Sequence, residues 1–343
     1  LPYPAMTRGA FLDVQRIEVL KGPQGTLYGQ NSTGGAVNFI ANRPTTEFSG
    51  RAILEYGRFN TLRAEGAMSG EVAPNVRVRV AANTLQSGAW QESMTRDDTL
   101  GKQHRASGRF LLDWDASEAI TVSLNVNGWL DRSDTAAPQL AKIIFSNAAN
   151  IPVTPPATVY APLISGDSAR EADWAPGVDY SRDDNFFQTA LTVGADLGSD
   201  IELKSITAYS RFRTDSMVNR SGMASINLDT HFEGKIDSFY QELRLSGGNE
   251  PFTWMVGGNY RSDDLVDHAR YLSKDATNAI AVGIPYNGSQ VNSDQDIEAF
   301  GIFANADYKF TDTLSLNLGA RYSSEKQRFV GCNFDPGEGD IAA

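Results

Sequence analysis

The chain has 343 residues, 41% of them hydrophobic, and carries a formal charge of -12 with a pI near 4.8. That balance excludes a duplex nucleic-acid partner, which is bound through basic surface, and no run approaches the roughly 20 apolar residues of a transmembrane helix. A mean hydropathy of -0.33 leaves a membrane β-barrel open, because only alternate residues of its strands meet lipid. The single cysteine, Cys332, rules out an intrachain disulfide and a thiolate metal cluster. The N-terminal LPYPAMTRGAF has no basic segment followed by an apolar stretch, so it does not read as a signal peptide. Either a leader was removed or the chain is a piece of a longer protein.

In chain order, the first element is the Gly-punctuated segment FLDVQRIEVLKGPQGTLYGQNSTGGAVNFIANRP, residues 11–44. Arg16 to Leu20 predicts a short strand, and Lys21-Gly22-Pro23 a turn whose glycine permits unusual φ and whose proline fixes it. Ala36 to Ile40 predicts a second strand after Gly34-Gly35. Gly22, Gly25 and Gly29 lack both the GxGxxG spacing and the G-K-S/T ending of a phosphate cradle.

From Gly50 onward the chain alternates with period two. Ile120, Val122, Leu124, Val126 and Leu130 face one way, and Thr121, Ser123, Asn125, Asn127, Trp129 and Asp131 the other. About eleven such segments are predicted, near 50–57, 61–71, 76–86, 104–114, 118–131, 184–197, 200–213, 236–246, 252–262, 295–310 and 313–327. Most are long enough for tilted membrane-spanning strands, which need about nine to eleven residues. Short turns at 57–60, 73–75, 115–117, 198–200, 248–251 and 311–312 are set against long polar loops at about 87–103, 132–183, 214–235 and 263–294. That asymmetry is the wall pattern of an outer-membrane barrel. Tyr56, Trp90, Trp114, Trp129, Tyr209, Phe212, Tyr260, Tyr308, Phe310 and Tyr322 fall near strand ends, as interfacial girdles do. Arg77, Arg79, Asn125, Asn127, Asn317 and Arg321 are expected on the lumen face as wall polarity.

The stretch RIEVLKGPQGTLYGQNSTGGAVNFI closely resembles the C-terminal part of the plug domain of TonB-dependent outer-membrane receptors. Arg16, Glu18, Gly22, Pro23, Gly25, Tyr28, Gly29, Gly34, Gly35 and Asn38 carry the resemblance, and SFYQELRLSGG (238–248) is similar to a barrel strand of that family. The fold implied is all-β: a transmembrane antiparallel β-barrel, 22-stranded when whole, with a partial N-terminal plug. Residues 1–46 would be the end of the plug and 47–343 the first half of the barrel, since about eleven strands fall short of the roughly 22 that close around a plug. The open sheet would leave two edges in lipid, so the chain is expected to be a fragment. The resemblance further implies plug-to-wall contacts at Arg16, Glu18 and Arg43. It implies residence in the outer membrane of a Gram-negative bacterium and uptake of a scarce small molecule such as a ferric siderophore, another metal chelate, cobalamin or an oligosaccharide. Energy would come from TonB and its inner-membrane complex, engaging an N-terminal box that this chain lacks. A passive porin or structural barrel is the competing reading, and an open channel has no use for a plug signature. A soluble all-β carbohydrate-active protein would need short strands and catalytic acids at fixed places.

No catalytic constellation emerges, and no cofactor or ligand-contacting residue is assigned. His104, His231 and His268 are far apart in sequence with no HExxH or Cys-His spacing, and two lie in or beside predicted loops. Asp183-Asp184 and Asp263-Asp264 lack the further oxygen spacing of a calcium loop and read as solvated charge. The sequons at Asn31, Asn219 and Asn287 read as chance matches in a bacterial outer-membrane protein.

Overall fold

The computed structural model describes residues 4–22, 34–141, 168–275 and 288–334. A 3-10 segment, Pro4–Phe11, leads into an antiparallel hairpin of β1 (Val14–Lys21) and β2 (Gly35–Ala41). An eleven-stranded antiparallel sheet follows. Its strands are β3 (Ser49–Gly57), β4 (Thr61–Ala73), β5 (Val76–Ser87), β8 (Gln103–Asp115), β9 (Ile120–Asp131), β11 (Asp184–Asp196), β12 (Ile201–Asn219), β13 (Asp229–Asn249), β14 (Phe252–Leu272), β15 (Gly288–Thr311) and β16 (Leu314–Phe334). Each pairs with its neighbour in this order, leaving β3 and β16 as the edges. Short β6 (Gln91–Ser93), β7 (Thr99–Leu100) and β10 (Glu171–Ala172) form a small sheet within the long connections.

The eleven alternating segments are the eleven strands of this sheet. Alternation arises because successive side chains point to opposite faces, and here the two faces meet different solvents. One face exposes an apolar band that includes Val80, Leu191, Phe239, Leu243, Val256, Tyr260, Phe300 and Leu318. The other, the inner face, carries the N-terminal segment and the buried cluster Met6, Trp129, Phe186, Phe212, Ile236 and Leu265.

Three expectations require correction. First, the predicted loops at 214–235 and 263–294 are largely strand, so the connections shrink to 220–228 and 273–287, with 276–287 outside the described residues. A 21-residue strand such as β13 is about 70 Å long, far more than a band roughly 25 Å tall needs. Beyond the band neither face meets lipid, so the alternation that marks a strand in sequence disappears. Second, the turn at 57–60 does not share the short-turn rim. Strands alternate in direction, which places Arg58–Asn60 at the same end as 88–102 and the described parts of the next connection, 132–141 and 168–183. There Phe59 accepts a bond from Gly88 N through its carbonyl (2.7 Å), and the Arg170 guanidinium lies over its ring. Third, Trp129 and Phe212 are buried on the inner face and belong to no lipid girdle, whereas Tyr56, Trp114, Tyr260, Tyr308, Phe310 and Tyr322 are exposed large side chains.

Candidate functional site

The site with the densest chemistry is the contact between the N-terminal segment and the inner face. Its apolar part is built on Trp129, an aromatic in an otherwise polar row of β9. The indole stacks on Phe186 at 6.1 Å and tilts against Phe212 at 5.8 Å, and its Nε1 donates to the Met6 carbonyl at 3.4 Å. Gly9 permits this approach, since a Cβ there would come within 2.7 Å of the indole Cδ1. Leu12 packs against Ala67 of β4 and Ala81 of β5, register partners whose small side chains leave it room.

Two ion clusters flank this core. Arg8 Nη1 lies 2.6 Å from Asp131 Oδ2 and 3.0 Å from Asp184 Oδ2, joining the segment to β9 and β11 at once. Arg105 adds a second cation to Asp131 at 3.3 Å, and the Thr214 hydroxyl donates to Asp184 at 2.6 Å. The second cluster centres on Asp13, only 1% exposed and held at φ 51°. Aspartate is among the few residues that visit this left-handed region. Arg79 donates to it from Nε at 2.5 Å and Nη2 at 2.7 Å, Asn42 Nδ2 at 2.9 Å, and Arg51 stands 3.4 Å away. Burial alone would push the Asp13 carboxyl up, but the hydrogen bonds from Arg79 and Asn42 and the nearby guanidinium charges outweigh it, holding the group below the ordinary value. Arg109 completes the arrangement by donating to the Leu12 carbonyl at 2.5 Å and the Gly9 carbonyl at 3.4 Å.

The contact residues expected from sequence separate. Arg43 Nη2 reaches Asp113 of β8 at 3.1 Å. Arg16 and Glu18 bond to each other at 2.7 Å on an exposed face of the hairpin, and Arg16 also bonds Gln15. Gly22, Gly34 and Gly35 stand at the described ends of the hairpin. Gly35, at φ 138°, is required there because a Cβ would lie 2.3 Å from the Leu20 carbonyl oxygen. Asn38 is the register partner of Glu18. Pro23, Gly25, Tyr28 and Gly29 lie outside the described residues, as does Asn31. A cavity of about 870 Å³ separates the hairpin from the sheet, with Asn38, Arg43, Arg109, Asp113, Asn125 and Gln188 in its lining.

The expected wall polarity shares this face: Arg77 pairs with Asp115 at 2.9 Å, Asn127 bonds Asn125 at 3.2 Å, Asn317 bonds Asp307, and Arg321 bonds Asn259 at 2.7 Å. Sequence reasoning missed Arg8, Asp13, Arg51 and Arg109. The first two sit in an irregular run with no periodicity, and the one signal that could have pointed to a docking site is Trp129 standing in a polar row, an aromatic that the sequence assigns to a girdle.

The acid pairs and histidines also fall differently from expectation. Asp183 faces Arg132 at 3.4 Å while Asp184 bonds Arg8, and Asp263 pairs with Arg261 at 3.0 Å on the face opposite Asp264. Adjacent residues in extended chain point apart, so neither pair can chelate one ion. His231 and His268 lie on neighbouring strands β13 and β14 rather than in loops, and Glu233 is the register partner of His268. His231 Nε2 is 2.8 Å from Asp215 Oδ1, and Asp215, His231 and Glu233 bring one ligand atom each within 4.8 Å of one another.

An eleven-stranded antiparallel wall with an apolar outer band, and an N-terminal segment docked by charge to its polar inner face, has the form of part of an outer-membrane-type β-barrel. Residues 144–335, more than half the chain, match the family described as TonB dependent receptor-like, beta-barrel. The chain belongs to this TonB-dependent receptor family. Over 69 residues it is 42% identical to the ferripyoverdine receptor of Pseudomonas aeruginosa, covering 20% of this chain and 8% of that protein. Over 35 residues it is 51% identical to the pesticin receptor of Yersinia pestis, covering 10% and 5%. Its fold is similar to the ferric yersiniabactin uptake receptor FyuA of Yersinia pestis, with a TM-score of 0.72 at 17% identity over 96% of this chain and 47% of that one. It is also similar to the ferripyoverdine receptor of the outer membrane of Pseudomonas aeruginosa, with a TM-score of 0.68 at 17% identity over 92% and 42%. The chain thus spans under half the length of these solved structures.

Proposed function

We propose that the protein is an outer-membrane receptor of a Gram-negative bacterium that takes up a scarce small molecule, a ferric siderophore, in an energy-coupled step. In this reading residues 1–46 are the end of a plug and 47–343 a part of the barrel wall, and no chemistry is performed on the ligand. The supporting observation is the docking of Arg8 and Asp13: a segment tied to the wall by multivalent, mostly buried charge closes a pore until something pulls on it. Arg8 alone bridges two strands, so displacing the segment breaks several bonds together and needs an external source of work. TonB, acting through a segment N-terminal to the plug, is that source. The relatives support the ligand class, since those named above include receptors for ferripyoverdine and ferric yersiniabactin. A passive porin would gain nothing from such a latch.

The test is uptake of radiolabelled iron, supplied with a panel of siderophores, by cells carrying the whole gene with and without TonB. Accumulation that needs both the receptor and TonB is expected. Uptake unchanged in the absence of TonB refutes the energy-coupled reading, and uptake of no siderophore but of cobalamin or an oligosaccharide refutes the ligand class.

A further inference from the structure

Past the apolar band, the outer face of the sheet continues onto the long ends of β12 to β15. Asp215 of β12 and His231 and Glu233 of β13 stand on that face by strand parity, the same parity as the exposed Phe239 and Leu243. Asp215 is the register partner of Glu233, and His231 lies two residues further along the same strand. We propose that these three side chains form a binding site for a divalent transition-metal ion of the zinc class.

Donor chemistry selects the ion. One imidazole nitrogen with two carboxylates is a borderline set that suits zinc and its neighbours, whereas calcium and magnesium take all-oxygen shells. Geometry permits it. Zinc bonds of 2.0–2.2 Å put neighbouring tetrahedral ligand atoms about 3.3 Å apart. The 2.8 Å contact between His231 Nε2 and Asp215 Oδ1 opens by about half an ångström when a metal replaces the shared proton. The widest separation in the set, at most 4.8 Å, has to close by no more than about 1.5 Å, a shift that χ rotation of the exposed Asp215 and Glu233 supplies. The backbone ladder between β12 and β13 meanwhile fixes the three Cα positions.

Charge agrees with the assignment. Two carboxylates and a neutral imidazole neutralise a dication. On the next strands, His268 stands opposite Glu233 with its Nε2 3.7 Å from Asp294 Oδ1, which adds a third carboxylate to the neighbourhood. The opposing charges on this face are Arg270 of β14, opposite His231, and the register pair Arg213 and Lys235, two residues from Asp215 and Glu233, with Lys235 engaged by Asp237 at 2.5 Å. Three protein ligands leave a fourth position for water or an exogenous donor, as in open zinc sites. The site is on the outside of the wall, away from the docked N-terminal segment, so its ion is not cargo and the proposal stands independently of the uptake reading.

The experiment uses the full-length receptor, purified in detergent and stripped with chelator, titrated with Zn²⁺ by calorimetry. One equivalent is expected to bind, weakened roughly tenfold or more in His231→Ala, Asp215→Asn and Glu233→Gln. Co²⁺ in place of zinc should give visible ligand-field absorption that His231→Ala abolishes, and excess Ca²⁺ should not displace zinc. Each variant is first confirmed as folded by its heat-modifiable migration in electrophoresis. Unchanged zinc affinity in folded His231→Ala overturns the proposal. So does displacement of zinc by Ca²⁺, or wild-type binding no different from that of the Asp215→Asn/His231→Ala double variant.

Discussion

Substituting Asp13→Asn removes the charge at the centre of the second ion cluster while keeping the side chain's size. Asp13 is 1% exposed, and its principal partner Arg79 has a side chain 11% exposed, so the guanidinium left behind is a nearly buried, uncompensated cation. Breaking a buried pair from one side costs about 3–5 kcal/mol. Arg51, half exposed and 3.4 Å away, adds little beyond that. Even the low figure, about 3 kcal/mol, corresponds to roughly 150-fold more frequent local opening of residues 4–22. Hydrogen–deuterium exchange of that peptide, measured by mass spectrometry on the detergent-solubilised full-length protein, reads this directly. Glu18→Gln is the control, because the Arg16–Glu18 pair is exposed and such pairs contribute only about 0.2–1 kcal/mol. The double variant Asp13→Asn/Arg79→Gln should recover part of the loss, with a coupling of about 0.5–3 kcal/mol. If Asp13→Asn accelerates exchange no more than Glu18→Gln does, the segment is not held by this cluster.

The same carboxyl makes the docking acid-sensitive. Its pKa is lowered in the folded state, so its contribution is fully present above the ordinary aspartate value of about 3.9 and is lost as pH falls through the lower folded value. Protection of residues 4–22, corrected for intrinsic exchange, should therefore hold from neutral pH to about 5 and fall below about 4; a collapse between pH 7 and 5 would point to a different group. Trp129→Ala should destabilise the inner cluster by about 3–5 kcal/mol, seen as faster exchange in both residues 4–22 and the ends of β9 and β11; a loss under about 1 kcal/mol would mean the cavity collapses. Leu243→Arg, in the exposed apolar band, should cost about 2–4 kcal/mol in urea titrations of the protein refolded into bilayers; a neutral outcome would place Leu243 away from the bilayer midplane.

How much of this was legible in the sequence follows from where lipid is. Between Ile120 and Asp131 every second residue meets hydrocarbon, so the pattern had to be written into the chain, and the same holds for each of the eleven strands. At DTHFEGK, where β13 begins, and at SDDLVDHAR, toward the end of β14, the strands run on past the apolar band and the outer face carries Glu233, Asp264 and His268 in place of a continuous apolar row. The strand persists there through its ladder of backbone bonds, which carries no side-chain signature. His231 and Glu233 therefore read as loop residues although register fixes them beside Asp215.

The inner face was legible as polarity but not as pairing. An expected wall arginine such as Arg79 is the same residue in sequence whether it faces water or a buried carboxylate. What decides between them is Asp13, an aspartate in a run without periodicity whose φ of 51° no neighbour announces. The charged residues that stood out within the family-like stretch, Arg16 and Glu18, satisfy each other on an exposed face. The less conspicuous Arg8 and Asp13 meet nearly buried partners, Asp131 and Asp184 in one cluster and Arg79 in the other. Because the free-energy cost of removing a charge's partner rises with that charge's burial, control of docking rests with Arg8 and Asp13 rather than with the most recognisable residues of the segment.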